Sequence, residues 1–293
     1  MADEIKKLKF RQNTDVQIEV VSLQALTNTN TNKNHLITAH RTDFYHIFLF
    51  EPCFLNHFVD FEPVRIQPYT LLFINKERVH QFDLLSKYEG RLLIFTDDFF
   101  CTTENDTKFL RSSILFNDFT DKATLALDKH NFQHFAAICD NIEEELKLPV
   151  DNSTHILLKN ALQNFLLLAE REKRKQGFIA IKKGADLDYT LLFRDLLEIN
   201  FKHLKTVGDY AFQIFISEKR LGQATGKVLG KTPKEIINDR ILLEAKRLLV
   251  HSNLSIKEIG QELGFEDPAY FVRYFKKNTE ITPVEFREKQ LKN

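Results

Sequence analysis

Twice in its last third the chain spells a short capped helix, a tight turn and a longer capped helix, and this repetition limits the fold more than any other feature. In the first copy a short helix around Val207–Ile214 leads through Phe215-Ile216 to Ser217, an N-cap for a helix to Leu229, where Gly230 stops it. In the second, Ser255 caps IKEIGQEL, Gly264 ends it, and Asp267-Pro268 opens AYFVRYFKKN. Gly264 fits a turn residue that needs positive φ. Between the copies Thr232 caps, Pro233 takes the first helical position and Glu235 reinforces the first turn. The apolar face of that helix, Ile236, Ile237, Ile241, Leu242, Ala245, Leu248 and Leu249, continues to Val250, and Thr282-Pro283 starts a last helix. Upstream, Leu192, Leu196, Ile199 and Phe201 stripe another helix. Short helix, turn and longer helix make the helix-turn-helix arrangement, whose second helix enters the major groove of DNA. A single copy serves equally as an all-α packing motif. Two copies joined by a rod of roughly 27 Å are far less ambiguous, because such a rod can hold two second helices about one DNA turn (~34 Å) apart on the same face.

Charge follows the same division. The 293 residues leave room for about two domains. Lys+Arg and Asp+Glu are both 41, which excludes a polycation that wraps nucleic acid by charge alone. From Tyr189 to Asn293, however, 18 basic residues face 14 acidic ones, against 23 and 27 in the rest. A mildly basic C-terminal third points to a nucleic-acid partner for that part only. With 43% hydrophobic and 28% charged residues the chain is globular rather than disordered. Its three cysteines, Cys53, Cys101 and Cys139, form no CxxC pair, and no run of ~18 apolar residues appears. A reduced, cytoplasmic protein is the simplest reading.

The N-terminal texture is different. TDFYHIFLF (42–50), CFLNHFVDF (53–61), TLLFINK (70–76), VHQFDLL (79–85) and RLLIFT (91–96) are aromatic and β-branched runs punctuated by Pro52, Pro63, Pro68, Asn75 and Gly90. They predict an all-β barrel or sandwich, with TNTNTNKN (27–34) as a surface loop. From Asp118 the pattern becomes helical. Phe135, Cys139, Ile142 and Leu146 lie on one face, Pro149 and Asp151-Asn152-Ser153 separate two helices, and the second, 153–175, carries Leu158, Leu162, Phe165, Leu166 and Leu168 over a wide arc. Such surplus apolar surface predicts a homodimer built on the 131–175 helices through Phe135, Cys139, Ile142, Leu158, Leu162, Phe165 and Leu166. The expected order is therefore a barrel over 1–118, a helical dimerisation region over 119–175, a linker over 176–188 and a DNA-binding domain over 189–293.

The stretch 256–287 resembles the signature of the AraC/XylS family of bacterial transcription regulators. The resemblance rests on Ile259, Gly264-Phe265, Tyr270-Phe271, Arg273, Phe275-Lys276, Thr282-Pro283 and Phe286-Arg287. The first copy is similar in Asp209-Tyr210-Ala211, Ser217, Leu221, Lys227, Gly230, Thr232-Pro233, Arg240 and Ala245-Lys246-Arg247-Leu248-Leu249. The N-terminal stretch resembles, more weakly, a cupin-like effector barrel, at His40-Arg41-Thr42-Asp43-Phe44-Tyr45 and Val79-His80. The resemblance implies an α+β two-domain chain: a cupin-like barrel followed by helices, then an all-α tandem helix-turn-helix domain.

It also implies function. A non-enzymatic regulator without cofactor would bind double-stranded promoter DNA, answer to a small-molecule effector, and meet RNA polymerase if it activates. In the first second helix the family pattern turns Lys219, Gly222 and Gln223 to the groove, where Lys suits guanine and Gln suits adenine. In the other, Pro268, Ala269, Val272 and Arg273 project outward, with Arg273 the strongest base reader and the first three suited to thymine methyls or sugars. Arg220, Lys227, Lys276 and Lys277 suit phosphates. Tyr270, Phe271, Phe275 and Phe286 are expected in the core. An effector cavity would be lined by His40, Tyr45, Phe48, Phe73, His80 and Phe95, although a filled Phe core explains the same strands equally well.

The chief rival is a cupin-type metal enzyme with a DNA-binding appendage. Catalytic cupins need a closely spaced His pair, and here Thr42 stands where the second His would be. His46, His57 and His80 are too scattered along the chain to give a metal triad from spacing, so each reads as a structural histidine and no metal is expected. A second rival is a constitutive regulator whose barrel only dimerises.

Overall fold

A computed structural model describes residues 6–10, 16–28, 38–60, 62–83, 86–116, 124–177 and 184–291. These fall in two compact units, one within 6–180 and the other within 181–293. Most of the 27–34 loop, the 118/119 boundary and the middle of the expected linker lie outside the described residues.

Among the described residues the N-terminal unit holds ten strands: β1 (Lys6–Leu8), β2 (Ile18–Ser22), β3 (His40–Thr42), β4 (Tyr45–Phe50), β5 (Leu55–Val59), β6 (Glu62–Ile66), β7 (Thr70–Ile74), β8 (His80–Phe82), β9 (Gly90–Phe95) and β10 (Thr124–Ala126). They form two five-stranded sheets, β1-β3-β8-β5-β6 and β10-β7-β4-β9-β2. Pro63 lies in β6, at the edge of the first sheet, where its missing N–H costs no ladder bond. The centre of the second sheet, YHIFLF in β4, is buried at all six positions. Alternation explains this. His46, Phe48 and Phe50 point into a core shared with the first sheet's Leu55, Val59, Ile66 and Phe82. Tyr45, Ile47 and Leu49 point the other way, into a larger core with the helices. A strand buried on both faces loses the polar–apolar alternation of an exposed sheet and reads as a continuous apolar run.

Those helices are α1 (Leu23–Asn28), α2 (Asp97–Phe100), α3 (Glu104–Ser112), α4 (Lys129–Glu145) and α5 (Thr154–Lys175). Phe135, Cys139 and Ile142 of α4 and Leu158, Leu162, Phe165 and Leu166 of α5 join the core beneath the second sheet. Arg91 of β9 ties α4 down, donating to the Ala136 carbonyl at 2.9 Å and pairing with Asp140 at 2.5 Å. Lys159 pairs with Asp106 at 2.7 Å and joins α5 to α3. Two expectations are corrected here. The stretch after 118 is not all helical, because β10 extends the second sheet beside β7, and α2 and α3 interrupt the all-β stretch before it.

The C-terminal unit holds seven helices among the described residues: α6 (Ala185–Asn200), α7 (Val207–Gln213), α8 (Glu218–Leu229), α9 (Pro233–His251), α10 (Ile256–Glu262), α11 (Pro268–Thr279) and α12 (Pro283–Leu291). Helix α6 begins inside the span expected to be linker. Its stripe matches the expected one in part: Phe201 is buried and Leu196 packs against the core, but Leu187, Phe193 and Leu197 are buried while Leu192 and Ile199 are exposed. Leu192, Leu196 and Ile199 satisfy helical spacing, but so does the adjacent 193/197 row, and the packing of α8 and α9 selects the row with the larger ring. Helix α9 runs through the core on Ile236, Ile237, Ile241, Leu242, Ala245 and Leu249. Its buried Glu244 accepts from Arg240 at 3.1 Å and Arg247 at 3.2 Å, and Arg240 reaches Glu198 of α6 at 2.8 Å while lying over the Phe201 ring.

Candidate nucleic-acid interface

The two helix pairs α7–α8 and α10–α11 are copies of one design. Thr206 closes a capping box with Asp209, as Ser255 does with Glu258. The turns that follow hold Phe215 at φ 60° and Gly264 at φ 77°. The second turn has one extra residue, Glu266, before its cap. Ser217 then accepts from Arg220 N at 3.2 Å and Asp267 from Ala269 N at 2.8 Å, starting α8 and α11. Both helices end on left-handed residues, Gly230 and Glu280, and each is followed by a Thr-Pro-x-Glu cap.

Glycine at 264 is required by more than φ. A Cβ there would lie 1.8 Å from the Lys202 carbonyl oxygen. Lys205 holds the same corner, donating to the carbonyls of Phe201 (2.8 Å), Lys202 (2.7 Å) and Leu263 (2.7 Å). Burial lowers its ammonium pKa to about 8.

Inward residues of the second helices are Leu221 and Ala224 in α8 and Phe271 and Phe275 in α11; all four are buried, and Leu221, Phe271 and Phe275 share one core with Phe286. Outward, α8 presents Lys219 and Gln223 with Gly222 half-buried between them, and α11 presents Ala269, Arg273, Lys276 and Lys277 with Pro268 and Val272 half-buried. Lys219 and Gln223 correspond to Ala269 and Arg273, so the expected base-reading residues occupy equivalent positions in the two copies. Arg273 is two-thirds exposed and makes one long contact to Asp267, at 3.4 Å. Lys219 and Lys277 form no ion pair among the described residues.

Three expectations change. Tyr270 is not core: its residue is 54% exposed and stands on the outer side of α11, where it corresponds to Arg220. Arg220 and Lys227 do not stand free for phosphates. Both pair with Asp186 of α6, each at 2.6 Å, and Arg220 lies 4.9 Å over the Tyr189 ring. Nothing in the sequence links the Asp186 carboxylate to cations so far down the chain.

In the N-terminal unit the expected effector residues split between two cores. His40, Phe48 and His80 lie between the sheets, whereas Tyr45, Phe73 and Phe95 lie on the helix side of the second sheet. Strand parity separates them, so the six do not line one cavity. Between the sheets, however, the structure gathers histidines that are scattered in sequence. His40 sits opposite His80 in the β3–β8 pair, His57 is diagonal to His80 across β5–β8, and His46 reaches in from the second sheet. Their rings stand 4.4 Å (His40–His80), 4.7 Å (His46–His80) and 5.3 Å (His57–His80) apart, and His57 Nε2 is 3.2 Å from His80 Nδ1. His46 Nδ1 and His80 Nε2 are buried and have no hydrogen-bond partner among the described residues. Burial holds His46 and His80 well below the usual imidazole range and His57 at about 3, and the neighbouring rings add to it. No three His, Cys, Asp or Glu side chains among the described residues are arranged to hold a metal ion.

The expected dimer contacts are corrected as well. Phe135, Cys139, Ile142, Leu158, Leu162, Phe165 and Leu166 are 0–2% exposed within their own chain, because the second sheet consumes the arc that looked surplus. The exposed apolar residues of this region are Leu148, Val150, Ile156, Leu157 and Leu167.

Two helix-turn-helix units, α7–α8 and α10–α11, are joined by the long helix α9. A family model described as a helix-turn-helix domain matches residues 210–289. The chain is 33% identical over 92 residues to the uncharacterised HTH-type transcriptional regulator YisR of Bacillus subtilis (strain 168), covering 31% of this chain and 32% of that protein. It is 32% identical over 138 residues to the lactose operon transcription activator of Staphylococcus xylosus, covering 47% and 48%. Among solved structures, the C-terminal domain of the two-component response regulator yesN from Fusobacterium nucleatum subsp. nucleatum ATCC 25586 matches 33% of this chain and 94% of its own at 28% identity, with a TM-score of 0.31. The chain thus spans half or less of the length of these curated relatives. It carries an AraC-type helix-turn-helix domain, and regulators of the AraC/XylS family are its relatives.

Proposed function

We propose that the protein is a sequence-specific DNA-binding transcription regulator that reads two adjacent major-groove segments, one with α8 and one with α11. The observation that carries this reading is the equivalence of the two outward faces, Lys219 and Gln223 against Ala269 and Arg273, on helices joined by the single rod α9. Nineteen residues make a rod of roughly 28 Å, commensurate with one DNA turn. Arg273 is its principal base reader and Lys276 and Lys277 are its phosphate contacts.

A small effector would enter between the two sheets rather than on the helix side, by displacing part of the core packed there. There His40, His46, His57 and His80 offer hydrogen-bonding atoms inside an otherwise apolar core, and two of those atoms, His46 Nδ1 and His80 Nε2, have no partner among the described residues. A ligand that bound one arrangement of the sheets better than another would bias DNA binding by that difference in affinity. A homodimer, if formed on the helical region, would use Leu148, Val150, Ile156, Leu157 and Leu167. Activation would bring RNA polymerase as a further partner. Selection of bound sequences from a random duplex library tests the DNA-binding reading; enrichment of no sequence would refute it.

A further inference from the structure

We infer that Asp186 withholds Arg220 and Lys227 from DNA phosphates, acting as an internal counter-ion on the first reading helix; this rests on the DNA-binding reading above. The carboxylate presents Oδ1 to the Arg220 guanidinium and Oδ2 to the Lys227 ammonium, each at 2.6 Å. One oxygen pair spanning two cations is the contact a phosphate would otherwise make. The Tyr189 ring under the guanidinium holds Arg220 against α6 from a second direction. The two cations lower the Asp186 pKa in turn, chiefly through the hydrogen bonds from Lys227 and Arg220, so the group stays ionised.

The second copy lacks this arrangement. Its corresponding residues are Tyr270 and Lys277, and Lys277 is exposed with no ion pair among the described residues. The copies therefore differ in how they meet the backbone: α11 offers its lysines, while α8 has two of its cations already neutralised. The thermodynamic consequence follows from counter-ion release. A cation that meets a phosphate frees a condensed ion into solution, and that release supplies the salt-dependent part of affinity. Lys227 and Arg220 can gain this only by leaving Asp186, whose charge would then face the DNA. Asp186 thus lowers sequence-independent affinity and leaves α8 to contribute through Lys219 and Gln223.

Binding of the full chain to a mixed-sequence duplex, measured between about 50 and 200 mM salt, tests this. Asp186→Asn keeps the side chain's size and removes its charge. It should steepen the dependence of log K on log salt by up to about 1.8, two phosphates' worth, and tighten binding by up to about 60-fold at 0.1 M if the proteins are equal at 1 M. In the wild-type background, Lys227→Gln should leave that slope unchanged, a readout that loss of fold does not imitate. Weaker or unchanged binding by a folded Asp186→Asn, or a flatter slope for Lys227→Gln, would overturn the inference while leaving DNA binding intact. Failure of wild type and variants alike to bind any duplex would instead remove the DNA-binding reading, and the inference with it.

Discussion

At the residue scale, the same side-chain type does opposite things according to its neighbours. Arg273 stands exposed on α11, Arg220 is held between a carboxylate and a ring, and Arg247 is buried against Glu244. Only the first is available to a base edge. Arg273→Ala should therefore cost about 1–3 kcal/mol at its preferred base and relax selectivity there, whereas Lys276→Ala should weaken cognate and scrambled duplexes alike. Equal losses for both variants on both duplexes would remove Arg273 from base reading. The glycines divide in the same way. At Gly222 an added Cβ meets nothing within 4 Å, so Gly222→Ala should stabilise the fold by roughly 0.5–1 kcal/mol. Gly264→Ala would place a methyl against the Lys202 carbonyl in a left-handed backbone and should destabilise by more than that. Urea unfolding of the two variants should move the midpoint in opposite directions.

At the scale of elements, capping chemistry was legible in the sequence because it is local. Ser217, Thr232, Ser255 and Asp267 each cap the helix their sequence announces, and α9 runs Pro233–His251 against an expected Pro233–Val250. Facing was less legible. On α6 Phe193 and Leu197 replace Leu192 and Ile199 in the buried stripe beside Leu196 and Phe201, and the apolar arc of α5 is core, because periodicity says that a face is covered and not what covers it. The histidine group could not be read at all, since its members meet through strand pairing between segments far apart in the chain. These outcomes alter the test for assembly. Leu162→Ala should cost about 2–5 kcal/mol of stability as a core truncation, whatever the oligomeric state. Ile156→Lys and Leu167→Lys leave the core untouched and should turn a dimer into folded monomer by light scattering. Dimers that survive both changes would exclude this face.

At the scale of the whole molecule, the buried histidine cluster makes the stability of the N-terminal unit depend on pH. His46, His57 and His80 stay neutral in the fold at pH values where an unfolded chain's imidazoles, titrating near 6.5, take up protons. Unfolding at acid pH therefore binds protons, and stability is complete above about 6.5 and lost below it, by ~1.4 kcal/mol per pH unit for each histidine. Thermal unfolding should show a low-pH decline in the N-terminal unit that His57→Phe makes shallower; a midpoint flat from pH 7 to 5 would contradict the burial of the cluster. The C-terminal unit carries the central claim, that two equivalent helices on one rod read two groove segments. Hydroxyl-radical footprinting on a duplex selected by the full chain tests it most directly. Two protected segments about one helical turn apart on the same face are predicted, with the segment assigned to α11 lost in Arg273→Ala; protection confined to a single groove segment would contradict the account.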